Sequence, residues 1–187
     1  DEQKKILEFT HFQKRALVFG GAGTGKTYLA HTKAKEFANQ GLKTLLLYYN
    51  SAIAKDSKRT LQGLPNLSVK TFHQLCLESA TALKIDIQPT KNNEFYEKKL
   101  PEALERALAE DKAPLFDAII IDEAQDLRET WLETLLFCLR DFENGQIFVF
   151  ADDNQNLYEN AQNLSQILEC TPLTLTKNVR NTERIFS

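Results

Sequence analysis

Gly20-Gly21-Ala22-Gly23-Thr24-Gly25-Lys26-Thr27 is the stretch whose reading decides the fold. It fits G-x-x-x-x-G-K-[ST], a turn whose backbone N–H groups close around a phosphate. Side chains would block that approach, so glycine is favoured. The apolar run Ala16–Phe19 precedes it, and a helix-compatible run from Tyr28 follows it. Strand, glycine loop, helix is the context the pattern requires. The helix adds unpaired N–H groups and the positive end of its dipole. Lys26 brings a full charge to the β- and γ-phosphates, and the Thr27 hydroxyl is suited to ligate Mg²⁺. The expected nucleotide cradle is therefore Gly20, Gly21, Ala22, Gly23, Thr24, Gly25, Lys26, Thr27 and the adjoining Tyr28.

Further along, strands and helices alternate. Lys43–Tyr49 is an almost continuous apolar run, the pattern of a strand buried on both faces. Leu67–Lys70, Phe116–Ile121, Gln146–Phe150 and Leu173–Leu175 read as further strands. Helices are expected to about Asn39 with Gly41 just past the end, from Gln74 to about Leu83, over 94–110 and over 129–141. Such alternation implies right-handed crossovers and a mainly parallel sheet with helices on both faces. Ligands bind such sheets beyond the carboxyl ends of the strands.

Asp122 and Glu123 end the strand that begins at Phe116, directly after the four apolar residues Ala118-Ile119-Ile120-Ile121. An acid at that edge faces the metal opposite the loop, and its neighbour polarises the attacking water. Asp122 is thus the expected metal-side carboxylate and Glu123 the expected general base. The lysine and the acid pair are expected to converge from neighbouring sheet edges. Phe148–Ala151 leads into Asp152-Asp153-Asn154-Gln155, where Gln155 is either a γ-phosphate sensor or part of a polar turn. Arg180 is either a transition-state cation or an ordinary surface arginine.

The chain has 187 residues, 42% hydrophobic and 26% charged, the composition of one globular domain. A net charge of −3 gives no global basic field, which leaves only a local groove for nucleic acid. Cys76, Cys138 and Cys170 are odd in number and lack C-x-x-C spacing, so buried thiols in a reducing compartment are expected. No stretch reaches membrane-spanning length and none reads as a signal peptide, so a cytoplasmic protein without a membrane partner is expected. The chain holds no methionine, even at position 1. The expectation is a fragment lacking its native start.

Taken in order, these segments resemble the first motor domain of superfamily 1 helicases, in the UvrD/Rep-like branch. The glycine loop matches motif I. Leu47-Tyr48-Tyr49-Asn50 resembles motif Ia, and Thr71-Phe72-His73 resembles motif Ib. Asp122-Glu123-Ala124-Gln125-Asp126 matches motif II. Ala151 to Tyr158 resembles motif III, and Asn178-Val179-Arg180-Asn181 resembles motif IV. The resemblance implies a RecA-like P-loop NTPase over 1–187, with a short helical insertion at 79–113 in the position called 1B. It implies an ATP- and Mg²⁺-dependent helicase or translocase, with Lys26, Glu123, Gln155 and Arg180 catalytic. Gln3 would read adenine. Asn50, Thr71, Phe72 and His73 would meet single-stranded nucleic acid, DNA in preference to RNA. The alternative for the last two is that Phe72 is core and His73 caps a helix.

The chain departs from the family pattern in places. Val179 stands where the family has a base-stacking tyrosine, and Glu159-Asn160 replaces an aromatic and an arginine. The family's second motor domain is expected to lie outside residues 1–187. A rival reading is a P-loop switch whose nucleotide state controls a protein partner. A kinase acting on a small molecule is a third reading.

Overall fold

The computed structural model describes residues 2–87, 93–153 and 157–176. Its centre is a six-stranded, all-parallel sheet of β1 (Arg15–Gly20), β2 (Thr44–Tyr48), β3 (Leu67–Thr71), β4 (Ala118–Ile121), β5 (Gln146–Asp152) and β6 (Pro172–Leu175). The spatial order is β3-β2-β4-β5-β1-β6. Seven α-helices are described: α1 (Glu2–Thr10), α2 (Lys26–Asn39), α3 (Ser51–Thr60), α4 (Phe72–Ala82), α5 (Leu100–Ala109), α6 (Glu129–Leu136) and α7 (Leu157–Leu168). This is the expected RecA-like α/β architecture.

Successive residues of a strand point to opposite faces, so each apolar run feeds two cores. Leu17, Phe19, Leu45, Leu47, Ile119, Ile121, Ile147 and Val149 face a core closed by α4, α5, α6 and α7. Val18, Leu46, Tyr48, Ile120, Phe148 and Phe150 face the other core, closed by α1, α2 and α3. Leu100 and Leu104 of α5 lie fully buried in the first core, so segment 79–113 contributes to the main body.

Helix α2 ends as its sequence directs. Gly41 takes φ 82°, its N–H bonds the Ala38 carbonyl, and the Leu42 N–H bonds that of Phe37. Both bonds close orphan carbonyls of the last turn. Helix α6 stops at Leu136 rather than near 141, because the chain after it turns to pair with the segment before β4. The Phe116 N–H bonds the Cys138 carbonyl, and the Arg140 N–H bonds that of Phe116. Cys76 and Cys138 are buried free thiols, and Cys170 is a half-buried one.

A candidate nucleotide site at the carboxyl edge of the sheet

The glycine loop joins the end of β1 to the first residue of α2. Gly25 precedes the helix at φ 94°, a left-handed conformation that glycine adopts without steric cost. Gly20 is fixed by space. A Cβ there would stand 2.5 Å from Thr24 Oγ1 and 2.9 Å from Leu175 Cβ on β6. The Thr24 hydroxyl donates to the Gly21 carbonyl at 2.8 Å, and Gln3 Nε2 of α1 donates to the Thr24 carbonyl at 2.8 Å. Lys26 is only 5% exposed. Its Nζ donates to the Gly20 and Gly21 carbonyls at 2.7 and 3.1 Å and pairs with Asp152 Oδ1 at 2.5 Å.

Asp122 follows β4 and is fully buried. Its Oδ1 accepts the Glu123 N–H at 3.1 Å, whereas Oδ2 is buried with no partner. Burial pushes its carboxyl up to about 6, opposed by the Thr27 hydroxyl and the Lys26 charge. An orphaned carboxylate oxygen costs free energy unless a cation or a donor meets it. Asp122 and the Thr27 hydroxyl form a hard oxygen set of the kind Mg²⁺ takes with phosphate and water. Among the described residues no group of three or more His, Cys, Asp or Glu could hold a metal.

Glu123 takes φ 57°, ψ 42°. A left-handed conformation costs a side-chain-bearing residue on the order of 1 kcal/mol, and such outliers gather at functional sites. Its Oε2 accepts Gln125 Nε2 at 2.5 Å, and Gln125 Oε1 accepts the Asp152 N–H at 2.9 Å.

One cleft of about 590 Å³ is lined by Gln3, Ala22, Gly23, Gly25, Lys26, Thr27, Tyr28, Glu123 and Asp152, with Asp122 buried outside its lining. Gly20, Gly21 and Thr24 shape the loop from behind and do not line it. Lys26 and the acid pair do not come from neighbouring strands, because β5 lies between β1 and β4. Two strand spacings, roughly 10 Å, therefore separate the two strand ends. Gln155 and Arg180 lie outside the described residues.

The residues expected to meet nucleic acid divide differently. Asn50 caps α3, its Oδ1 accepting the Ala52 and Ile53 N–H groups at 2.8 and 3.4 Å. Thr71 caps α4 in a reciprocal pair with Gln74. The base-stacking expectation for Phe72 is corrected. Its ring is fully buried and stacked on Trp131 at 4.6 Å and 15°, so no face is open to a base. His73 also turns inward, against Tyr49, Phe72, Tyr96 and Trp131. Its Nε2 is buried without a partner, and burial lowers its pKa. The exposed ring of that cluster is Tyr49. Ser51, Ala52, Ala54, Lys55, Lys58, Val69 and Gln74 line a separate groove of about 370 Å³ between α3 and the start of α4.

A family model described as the AAA domain matches residues 3–161. The chain belongs to the AAA domain family. No curated protein matches it significantly. Solved structures similar to this AAA domain include the Pif1 helicase of Candida albicans, with 16% identity and a TM-score of 0.57 over 98% of this chain and 41% of that one. A Bacteroides Pif1 in complex with ADP-AlF4 gives 18% and 0.51 over 97% and 43%. The DUF1998 helicase MrfA bound to DNA gives 11% and 0.56 over 95% and 27%. At these identities the likeness is one of fold. This AAA domain spans less than half the length of each of the three.

One cleft residue, Asp152, and one residue that braces it, Gln125, escaped the sequence reading. Asp152 belongs to the site because β5 lies beside β1, with Gly20 opposite Asp152. Gln125 joins the β4 and β5 ends through its two amide atoms. Both stood inside recognised motifs, but their partners are set by strand order. In the described residues no helix is long and apolar enough to cross a membrane.

Proposed function

We propose that this AAA domain is the ATP-binding and ATP-hydrolysing N-terminal domain of a UvrD-like superfamily 1 DNA helicase or translocase. The observation that carries this reading is that Lys26, Thr27 and Glu123 line one cleft, while the buried Asp122 carboxyl sits within the influence of Thr27 and Lys26 with its Oδ2 lacking a partner. The loop amides and Lys26 hold the triphosphate. Thr27 and Asp122 hold Mg²⁺, which when bound neutralises charge on the phosphate oxygens. Glu123 is placed to take the proton of an attacking water, with Gln125 orienting its carboxylate. Gln155 and Arg180 are assigned to phosphate sensing and transition-state charge, and Gln3 to the base end of the nucleotide. Residues 1–187 form one ATPase domain, with 79–113 as its short helical insertion at the 1B position.

Single-stranded DNA, in preference to RNA, is the proposed track, and the cytoplasm the proposed location. The groove with Lys55 and Lys58 offers cations, and the exposed ring of Tyr49 offers a stacking face. A second motor domain completes the nucleotide site, so this chain alone binds nucleotide weakly and turns over little. The rival reading, a nucleotide-gated switch acting on a protein, draws on the net charge of −3 and on the inward Phe72 and His73.

ATPase assays with and without single strands test the proposal. Joined to its second domain, the protein hydrolyses ATP in a strand-stimulated way, and Glu123→Gln retains binding while hydrolysis stops. Ordinary steady-state turnover by this chain alone, or turnover untouched by Glu123→Gln, contradicts it. Strand affinity that falls as salt rises favours the motor over the switch.

A further inference from the structure

We propose that Asp152 is an internal competitor for phosphate at Lys26, held in position by Gln125. This rests on the reading of the cleft as a phosphate site. Lys26 Nζ already has an anion, because Asp152 Oδ1 lies 2.5 Å away. The side chain of Asp152 is 29% exposed and lines the cleft, so it is reachable from the side a ligand enters. A carboxylate, like a phosphate, offers an ammonium group a negatively charged oxygen that accepts a charge-assisted hydrogen bond. The two anions cannot share the lysine without repelling each other, so an incoming phosphate displaces the aspartate. Gln125 fixes the reach of that aspartate. Its Oε1 accepts the Asp152 N–H at 2.9 Å, and its Nε2 is anchored on Glu123 Oε2 at 2.5 Å. The last residue of β5 is thereby tied to the loop after β4.

The test measures tripolyphosphate affinity in EDTA, so that no metal enters the result. Asp152→Asn keeps the shape and loses the charge. Its affinity tightens about fivefold, the scale of an ion pair partly open to water. Damage to the fold cannot produce such a gain. Gln125→Ala gives a smaller gain by loosening the end of β5, and adds nothing in the Asp152→Asn background. Lys26→Ala removes binding in every background. No gain in Asp152→Asn, or a Gln125→Ala gain that persists beside it, overturns the competitor alone. Wild-type binding that Lys26→Ala leaves unchanged overturns the phosphate-site reading and the competitor with it.

Discussion

Removing the ammonium group of Lys26 separates binding from folding. In Lys26→Ala the protein loses one ion pair and two hydrogen bonds to backbone carbonyls. Those carbonyls keep other donors. Gly20 O still accepts the Asp153 N–H, and Gly21 O still accepts the Thr24 N–H and hydroxyl. Asp152, partly exposed, regains water rather than becoming a buried orphan. The net loss is about 1–2 kcal/mol. At this chain length that lowers the melting temperature by roughly 2–8 °C. Nucleotide binding has no such compensation. A charge-assisted contact to phosphate is worth about 1.5–3 kcal/mol, so affinity falls roughly 10- to 150-fold or beyond detection. Thermal melting by circular dichroism and titration calorimetry with ATP read the two effects on one sample. A melting point lowered by more than about 15 °C would make Lys26 a structural residue. Undiminished ATP affinity would remove the loop from the site.

Asp122→Asn acts in the opposite sense on stability. The Asp122 carboxyl titrates near 6 in the fold against an ordinary 3.8, so it takes a proton more readily folded than unfolded. Its favourable contribution is present in acid and is lost as pH rises through about 6. The amide therefore stabilises the protein by about 1–3 kcal/mol at pH 7, a gain that fades towards pH 4 while magnesium-dependent nucleotide binding is lost. His31 and His73 both have pKa values lowered first of all by burial. Their contribution is present above the unfolded value of 6.5 and is lost as pH falls below it. Melting curves across that range check the fall, and His31→Gln flattens part of it. Phe72→Ala empties a fully buried ring site and costs about 3–5 kcal/mol by urea unfolding. Where its fold still holds, single-strand affinity is unchanged, whereas Tyr49→Ala weakens it. The reverse ranking in a salt-controlled gel shift would return Phe72 to the nucleic-acid face.

Local signals made most of the fold legible. β2 and β4 are buried along their whole length and read as unbroken apolar runs. The Gly41 terminus of α2 was readable because a left-handed residue favours glycine. Helix α7 was not read, because Asn, Gln, Glu and Ser fill half of Leu157–Leu168, with Leu164 and Leu168 buried among the described side chains. Phe72 was ambiguous for a different reason. Whether an aromatic after a cap faces out or in is decided by Trp131, distant in sequence. The lysine and the acid pair were legible as chemistry, but nothing local says which strand lies between them.

That intervening strand acts as a gauge. With β5 between β1 and β4, the separation of the two strand ends at the cleft is set by sheet hydrogen bonding instead of by loop length. Asp152 forms the cleft's threshold, and a larger side chain there would raise it between the cation and the carboxylates.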